Sequence, residues 1–166
     1  VKKMFEIAFD ISGEKSKRET AMSNLVVLAR EKAGSEIMIQ QGITKHINKL
    51  FKLEQNDEIL LNAIRVIDDI CSKSLHFTKQ IICELGIPWF LQILDSKNSD
   101  RVQAAQHCLQ EILNSFSGLT NKTDAKPDQQ LVEDNKNEIE TILTCLVYAC
   151  TDRTITGEAR DAVVEL

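Results

Sequence analysis

This chain of 166 residues predicts an all-α fold built as a right-handed helical solenoid. Three observations lead there. First, the apolar set Ala21, Leu25, Leu28 and Ala29 recurs forty-two residues on as Ala63, Ile67, Ile70 and Cys71, and again as Ala105, Leu109, Ile112 and Leu113. The i, i+4, i+7, i+8 spacing is one stripe of an amphipathic helix. Second, a Gly-Ile pair opens a further apolar run at Gly42-Ile43 and at Gly86-Ile87. Third, the energetics require stacking. Burying one Leu or Ile stabilises by roughly 1.5 to 3 kcal/mol, whereas ordering one residue costs about 1 to 2 kcal/mol of backbone entropy. One stripe cannot balance its own unit, so neighbouring units must share a core.

In chain order, residues 1–11 form an apolar segment with Met4, Phe5, Ile7, Ala8, Phe9 and Ile11, ended by Ser12-Gly13 and expected to dock on the first unit. Ser16 and Glu19 have capping-box spacing, which predicts a helix starting near Lys17. Gly34 is the expected stop of that helix. A short helix over Ser35–Gln41 follows, then one through Ile43, Ile47, Leu50 and Phe51. The second copy repeats this order: a long helix over Asp57–Ser72, a helix over Leu75–Leu85, and one through Ile87, Leu91 and Leu94. Pro88 falls in a first turn, where a missing N–H costs nothing. The third long helix runs over Ser99–Phe116.

The rhythm then breaks. Residues 118–137 are a polar insertion, expected to be either a functional surface loop or a disordered one. Pro127-Asp128 is a candidate start for a short helix carrying Leu131 and Val132, and Glu138–Cys150 is a predicted helix. Ala159, Ala162 and Leu166 restore the register, as part of a fourth long helix. The whole of 1–166 reads as a single domain, about three units with partial flanking ones, and as a fragment of a longer protein.

Composition narrows the function. The net charge of -5 and pI near 5.3 argue against a phosphate-neutralising surface, so nucleic acid is not an expected partner. No apolar run is long enough to span a membrane, and no signal peptide is visible, so no membrane partner is expected and the chain reads as intracellular. Cys71, Cys83, Cys108, Cys145 and Cys150 include no Cys-x-x-Cys pair, and the expectation is reduced, packed thiols. No enzymatic arrangement stands out. His107 and Cys108 point about 100° apart on a helix, Cys145 and Cys150 do not converge on a metal, and no glycine-rich phosphate loop exists, so no catalytic residue, metal or cofactor is expected.

What remains is the face opposite each stripe: Ser23, Val27 and Arg30, then Arg65, Asp69 and Ser72, then His107, Glu111 and Asn114. A unit near forty residues with three helices, the second opening on Gly-Ile, resembles the armadillo repeat. In such arrays the third helix of each unit lines a groove, which makes these nine residues the candidate recognition face. The repeat positions hold no recurring Asn, and the only Trp, Trp89, lies on a second helix, a departure from armadillo readers of extended peptides.

Three stretches are more specific: Asn24-Leu-Val-Val-Leu-Ala-Arg-Glu-Lys-Ala-Gly-Ser-Glu, Gly86-Ile-Pro-Trp-Phe-Leu-Gln-Ile-Leu-Asp-Ser, and Leu143-Thr-Cys-Leu-Val-Tyr-Ala-Cys-Thr-Asp-Arg-Thr-Ile-Thr-Gly-Glu-Ala-Arg-Asp. They resemble the central armadillo region of the animal UCS family of myosin chaperones. The resemblance implies a cytoplasmic co-chaperone whose tetratricopeptide domain binds heat-shock chaperones and whose UCS domain engages the myosin motor domain. Neither of those domains is matched here, so no residue of theirs is carried over. Two roles follow as expectations: a spacer in contact with neighbouring domains of the same chain, or a client- or partner-binding groove on the third-helix face.

Overall fold

A computed structural model describes residues 1–118 and 126–151, with the side chains of 145 and 148–151 left aside, and contains ten helices and no strand among them. They are α1 Lys2–Phe9, α2 Lys15–Ala29, α3 Lys32–Gln40, α4 Ile43–Leu53, α5 Asp57–Cys71, α6 Leu75–Leu85, α7 Ile87–Leu94, α8 Ser99–Ser117, α9 Gln129–Asp134 and α10 Lys136–Thr151. The all-α reading holds. The expected fourth long helix, with Ala159, Ala162 and Leu166, lies outside the described residues, as do 119–125 of the insertion. The chain parts into two compact units, Val1–Leu85 and Gly86–Leu166.

In the first unit, α2 and α5 are the long central helices and pack against one another. The predicted stripe is their core, except that Leu28 is only half-buried: Leu25, Ala29, Ala63, Ile67, Ile70 and Cys71 are fully buried and Ala21 is buried. Burial extends beyond the stripe, to Met22 and Val26 on α2 and to Leu60, Ile64 and Val66 on α5, because α1, α3, α4 and α6 close around these helices. Helix α1 docks on α2 as expected, through Phe5, Ala8 and Phe9. The Phe5 and Phe9 rings also meet the His46 imidazole of α4, with centroids 4.9 and 5.3 Å away.

Repeated positions carry repeated polar work. Asn56 caps α5 by accepting from the N–H of Glu58 and Ile59, and Asn98, forty-two residues later, caps α8 through the N–H of Arg101. At the other end of the long helices, Ser35 Oγ donates to the Ala29 carbonyl and Thr78 Oγ1 to the Cys71 carbonyl, each at 2.8 Å. Both hydroxyls are buried and each satisfies a carbonyl that the helix itself leaves unpaired.

Two sequence expectations are corrected. Helix α2 starts at Lys15 behind Glu14, not near Lys17, and Ser16 makes no cap; its carbonyl accepts from Thr20 Oγ1 at 3.0 Å. Gly34 does not stop α2, which ends at Ala29, but sits inside α3, where a methyl group would lie 2.0 Å from the Leu28 carbonyl oxygen. Its role is close approach of α3 to the end of α2. Among the described residues the glycines with positive φ are instead Gly42 and Gly86, at 71° and 80°, each immediately before a second helix, and Gly118, at 68°, at the end of α8.

The second unit packs α8 on α7, with α9 and α10 against α8 and α10 also on α7. Ala105, Cys108, Leu109, Ile112 and Phe116 of α8 are fully buried, while Leu113 is only half-buried. Trp89 and Phe90 stack edge to face with centroids 4.9 Å apart. The short helix expected after Pro127-Asp128 is α9, capped by Asp128 through the N–H of Gln130 and Leu131. The buried Asn135 donates to the Leu131 carbonyl at 2.7 Å and to the Phe116 carbonyl at 3.5 Å, pinning α9 against the end of α8.

Candidate interaction face

The first unit brings six of the nine candidate residues together. Two contacts fix the register of α2 beside α5. At one end Asn56 Nδ2 donates to Glu19 Oε1 at 2.7 Å, and at the other Arg30 Nε lies 3.8 Å from Asp69 Oδ2. The helices therefore run in parallel, with Val27 at the level of Arg65. Ser23, Val27, Arg30, Arg65 and Ser72 are exposed, and Asp69 is half-buried. Val27 is 57% exposed, on the solvent side of a helix whose Leu25 and Ala29 are fully buried. The Arg65 guanidinium is steadied from below, Nη1 donating to Asn62 Oδ1 at 3.2 Å. Ser72 Oγ donates to the Asp69 carbonyl at 2.8 Å and so closes the end of α5.

In the second unit, His107, Glu111 and Asn114 share one face of α8. His107 is exposed, and Glu111 and Asn114 are half-buried. Asn114 Oδ1 accepts from Gln110 Nε2 at 3.1 Å, and the Glu111 carbonyl accepts from Ser115 Oγ.

Sequence reasoning missed the other end of the α2–α5 face. Glu19, Thr20, Ser23, Asn24 and Glu58 line an open depression of about 330 Å³ there. The available signal was the Asn56-Asp57-Glu58 start of α5, a cap followed by an acidic first turn, which places carboxylates at the head of the helix.

Behind this face sits a charge pair that periodicity did not reveal. Arg18 of α2 is 5% exposed, and its Nη2 lies 2.5 Å from Oε2 of Glu54, the residue that ends α4. Burial alone pushes the Glu54 carboxyl up. The N–H of Asn56, the Arg18 guanidinium and the N–H of Gln55 outweigh it and hold the carboxyl below its ordinary value. The network fixes the α4–α5 corner, and with it the Asn56 that meets Glu19.

Cys71 and Cys108 are packed thiols, but Cys83 is exposed on α6, contrary to expectation; the side chains of Cys145 and Cys150 lie outside the described residues. Among the described residues no three His, Cys, Asp or Glu side chains converge as a metal site, and no helix is long and apolar enough to cross a membrane.

No family model matches the chain. Curated relatives do: unc-45 homolog B of Xenopus tropicalis is 33% identical over 166 residues and that of Homo sapiens 30%, each alignment covering 100% of this chain and 18% of the relative. UNC-45 from Drosophila melanogaster superposes with a TM-score of 0.92 at 44% identity, over 99% of this chain and 21% of that one. Over its whole length the chain resembles one segment of the UNC-45 myosin chaperones of the UCS family. The likeness is to a segment: the chain spans 18% of the length of the curated relatives it matches. A designed armadillo repeat protein shares the fold with a TM-score of 0.63 at 16% identity, over 98% of this chain and 60% of that one.

Proposed function

We propose that this segment is a non-catalytic armadillo spacer of a cytoplasmic myosin-folding co-chaperone, one that sets the distance and orientation of a chaperone-binding and a myosin-binding domain. The observation that carries this reading is the repeated locking of helix ends: Ser35 on Ala29, Thr78 on Cys71, and Asn56 and Asn98 as caps. A spacer transmits geometry only if its units are rigid, and each of these bonds removes a way for a long helix to fray or swing. The test is to replace Arg65, Asp69 and Glu111 together in the full-length protein that carries this segment. Myosin folding is expected to remain nearly intact; a large loss with unchanged helicity defeats the spacer.

A second reading is favoured by the exposure of Val27 and of the Arg30 side chain, at 57% and 64%, on one face of α2. That face is then a groove for a client or partner protein. Calorimetric titration with the myosin head and with heat-shock chaperones decides it: no heat of binding at tens of micromolar removes those partners.

A further inference from the structure

We infer that the outer side of α4 is a docking surface for an acidic segment of a partner protein, a short run rich in Asp and Glu, held by the row Lys45, Lys49 and Lys52. This goes beyond both readings above, since it concerns a different helix and none of the nine candidate face residues.

The three lysines stand at i, i+4 and i+7, which puts them on one side of the helix over a rise of about 10 Å. All three are exposed, while Ile43, Ile47 and Leu50 anchor the other side in the core. Leu53, 57% exposed, adds an apolar group where the row ends.

The charge of this row is left unbalanced. Each cation of α2 has a carboxylate: Lys15 has Glu19, Lys17 has Glu14 and Arg18 has Glu54. Among the described residues no ion pair includes Lys45, Lys49 or Lys52. The acids that feel the row are already engaged. Asp10, which feels Lys49, accepts from the Ser12 N–H at 3.1 Å and from Ser12 Oγ at 2.6 Å. Glu84, which feels Lys45, accepts from Thr44 Oγ1 and from Gln80 Nε2, the latter at 2.9 Å. Nor does the fold demand lysine here. Forty-four residues on, α7 holds Trp89 in place of Lys45 and Ile93 in place of Lys49. Both are buried, in a unit where α10 packs on α7. Packing fills these places in the second unit and leaves them open and basic in the first.

Complementarity calls for carboxylates. A membrane or a nucleic acid presents negative charge broadly and would bring it onto Asp10 and Glu84 as well; a narrow acidic segment can follow the lysines alone. The row also holds no Arg, whose planar fork is the better grip on phosphate. Each exposed lysine–carboxylate pair is weak and screened by salt, so the three act only together.

The test is fluorescence anisotropy of this chain with labelled peptides of eight Glu or eight Gln residues between Gly-Ser flanks. The chain carries a net charge of -5, so its overall field repels the Glu peptide and binding reports the row. At low salt the Glu peptide is expected to bind at least tenfold more tightly than the Gln peptide, and the difference should be gone at about 0.5 M salt. Lys45→Gln, Lys49→Gln and Lys52→Gln together should erase it with unchanged circular dichroism, and the same three positions changed to Arg should retain it. Lys32→Gln, Lys97→Gln and Lys136→Gln, at three exposed lysines elsewhere, should leave it intact. Equal binding of the two peptides, or equal loss in both Gln triple variants, overturns the proposal. Row-dependent binding to phosphatidylserine vesicles with no preference for the Glu peptide overturns it in favour of a membrane. Row-dependent self-association in sedimentation, again without that preference, overturns it in favour of a second copy of the chain.

Discussion

Arg30 Nε lies 3.8 Å from Asp69 Oδ2, a contact between α2 and α5 on the exposed side of both helices. Its length and exposure decide its weight: a loose surface pair contributes below about 1 kcal/mol and is screened by salt. A double-mutant cycle of Arg30→Ala and Asp69→Ala, read by urea denaturation, should give a coupling under about 1 kcal/mol that vanishes near 0.5 M salt. A larger, salt-independent coupling means the pair holds the helices together and is not available to a ligand.

The buried pair behind it should behave in the opposite way. Removing one partner of a buried ion pair strands the other charge, so Arg18→Met is expected to cost about 3 to 5 kcal/mol in a denaturant titration. The same pair sets a pH dependence. Glu54 is held below its ordinary value in the folded chain, so its contribution is fully present above the unfolded carboxylate range and is lost as pH falls through the folded value. Stability measured from pH 7 down to about 3 should drop in that acid window, and drop less in Arg18→Met.

His46 titrates with the same sign in a higher window. Burial, and secondarily the Lys49 charge, lower its pKa, so the folded chain resists protonating an imidazole that lies against Phe5 and Phe9. The unfolded chain then binds more protons just below the ordinary value near 6.5, and stability falls as pH drops through that region. A proton NMR titration of His46 should give a midpoint under that value, moving back toward it in Phe5→Ala. A midpoint at or above it excludes the docked α1 in solution.

Two glycine substitutions should separate two causes. Gly34→Ala forces a methyl group against the Leu28 carbonyl and is expected to cost about 3 kcal/mol or more. Gly42→Ala meets nothing within 4 Å and pays only for the left-handed backbone, about 1 to 2 kcal/mol. Thermal melts of the two variants should rank them in that order.

Ile67→Ala tests the stripe itself. The side chain is fully buried in α5, and the loss should be about 2 to 5 kcal/mol by chemical denaturation.

The helices were legible because an amphipathic stripe is a local signal: Ala63, Ile67 and Ile70 announce α5 by spacing alone, and the structure buries all three. Five of the nine face residues likewise follow from being opposite that stripe on α2 and α5 and stand exposed. What the spacing could not carry were meetings between distant positions. Nothing near Arg18 names Glu54 as its partner, and nothing near Gly34 reveals that Leu28 folds back onto it. The Ser16–Glu19 box misled for a related reason: Glu19 Oε1 accepts from Asn56 Nδ2 across the helix pair and pairs with Lys15 Nζ at 3.7 Å instead of serving as a cap.

One consequence concerns engineering. The N–H of Asp128 donates to the Ser117 carbonyl at 2.9 Å, and Gly118, at φ 68°, turns against the Asp128 side chain. Positions 117 and 128 are thus held together as a clamped doorway. Because doubling the length of a closed loop costs only about 0.6 kcal/mol, the sequence enclosed by that doorway can be exchanged for a tag, an epitope or a protease site with little disturbance to α8 or α9.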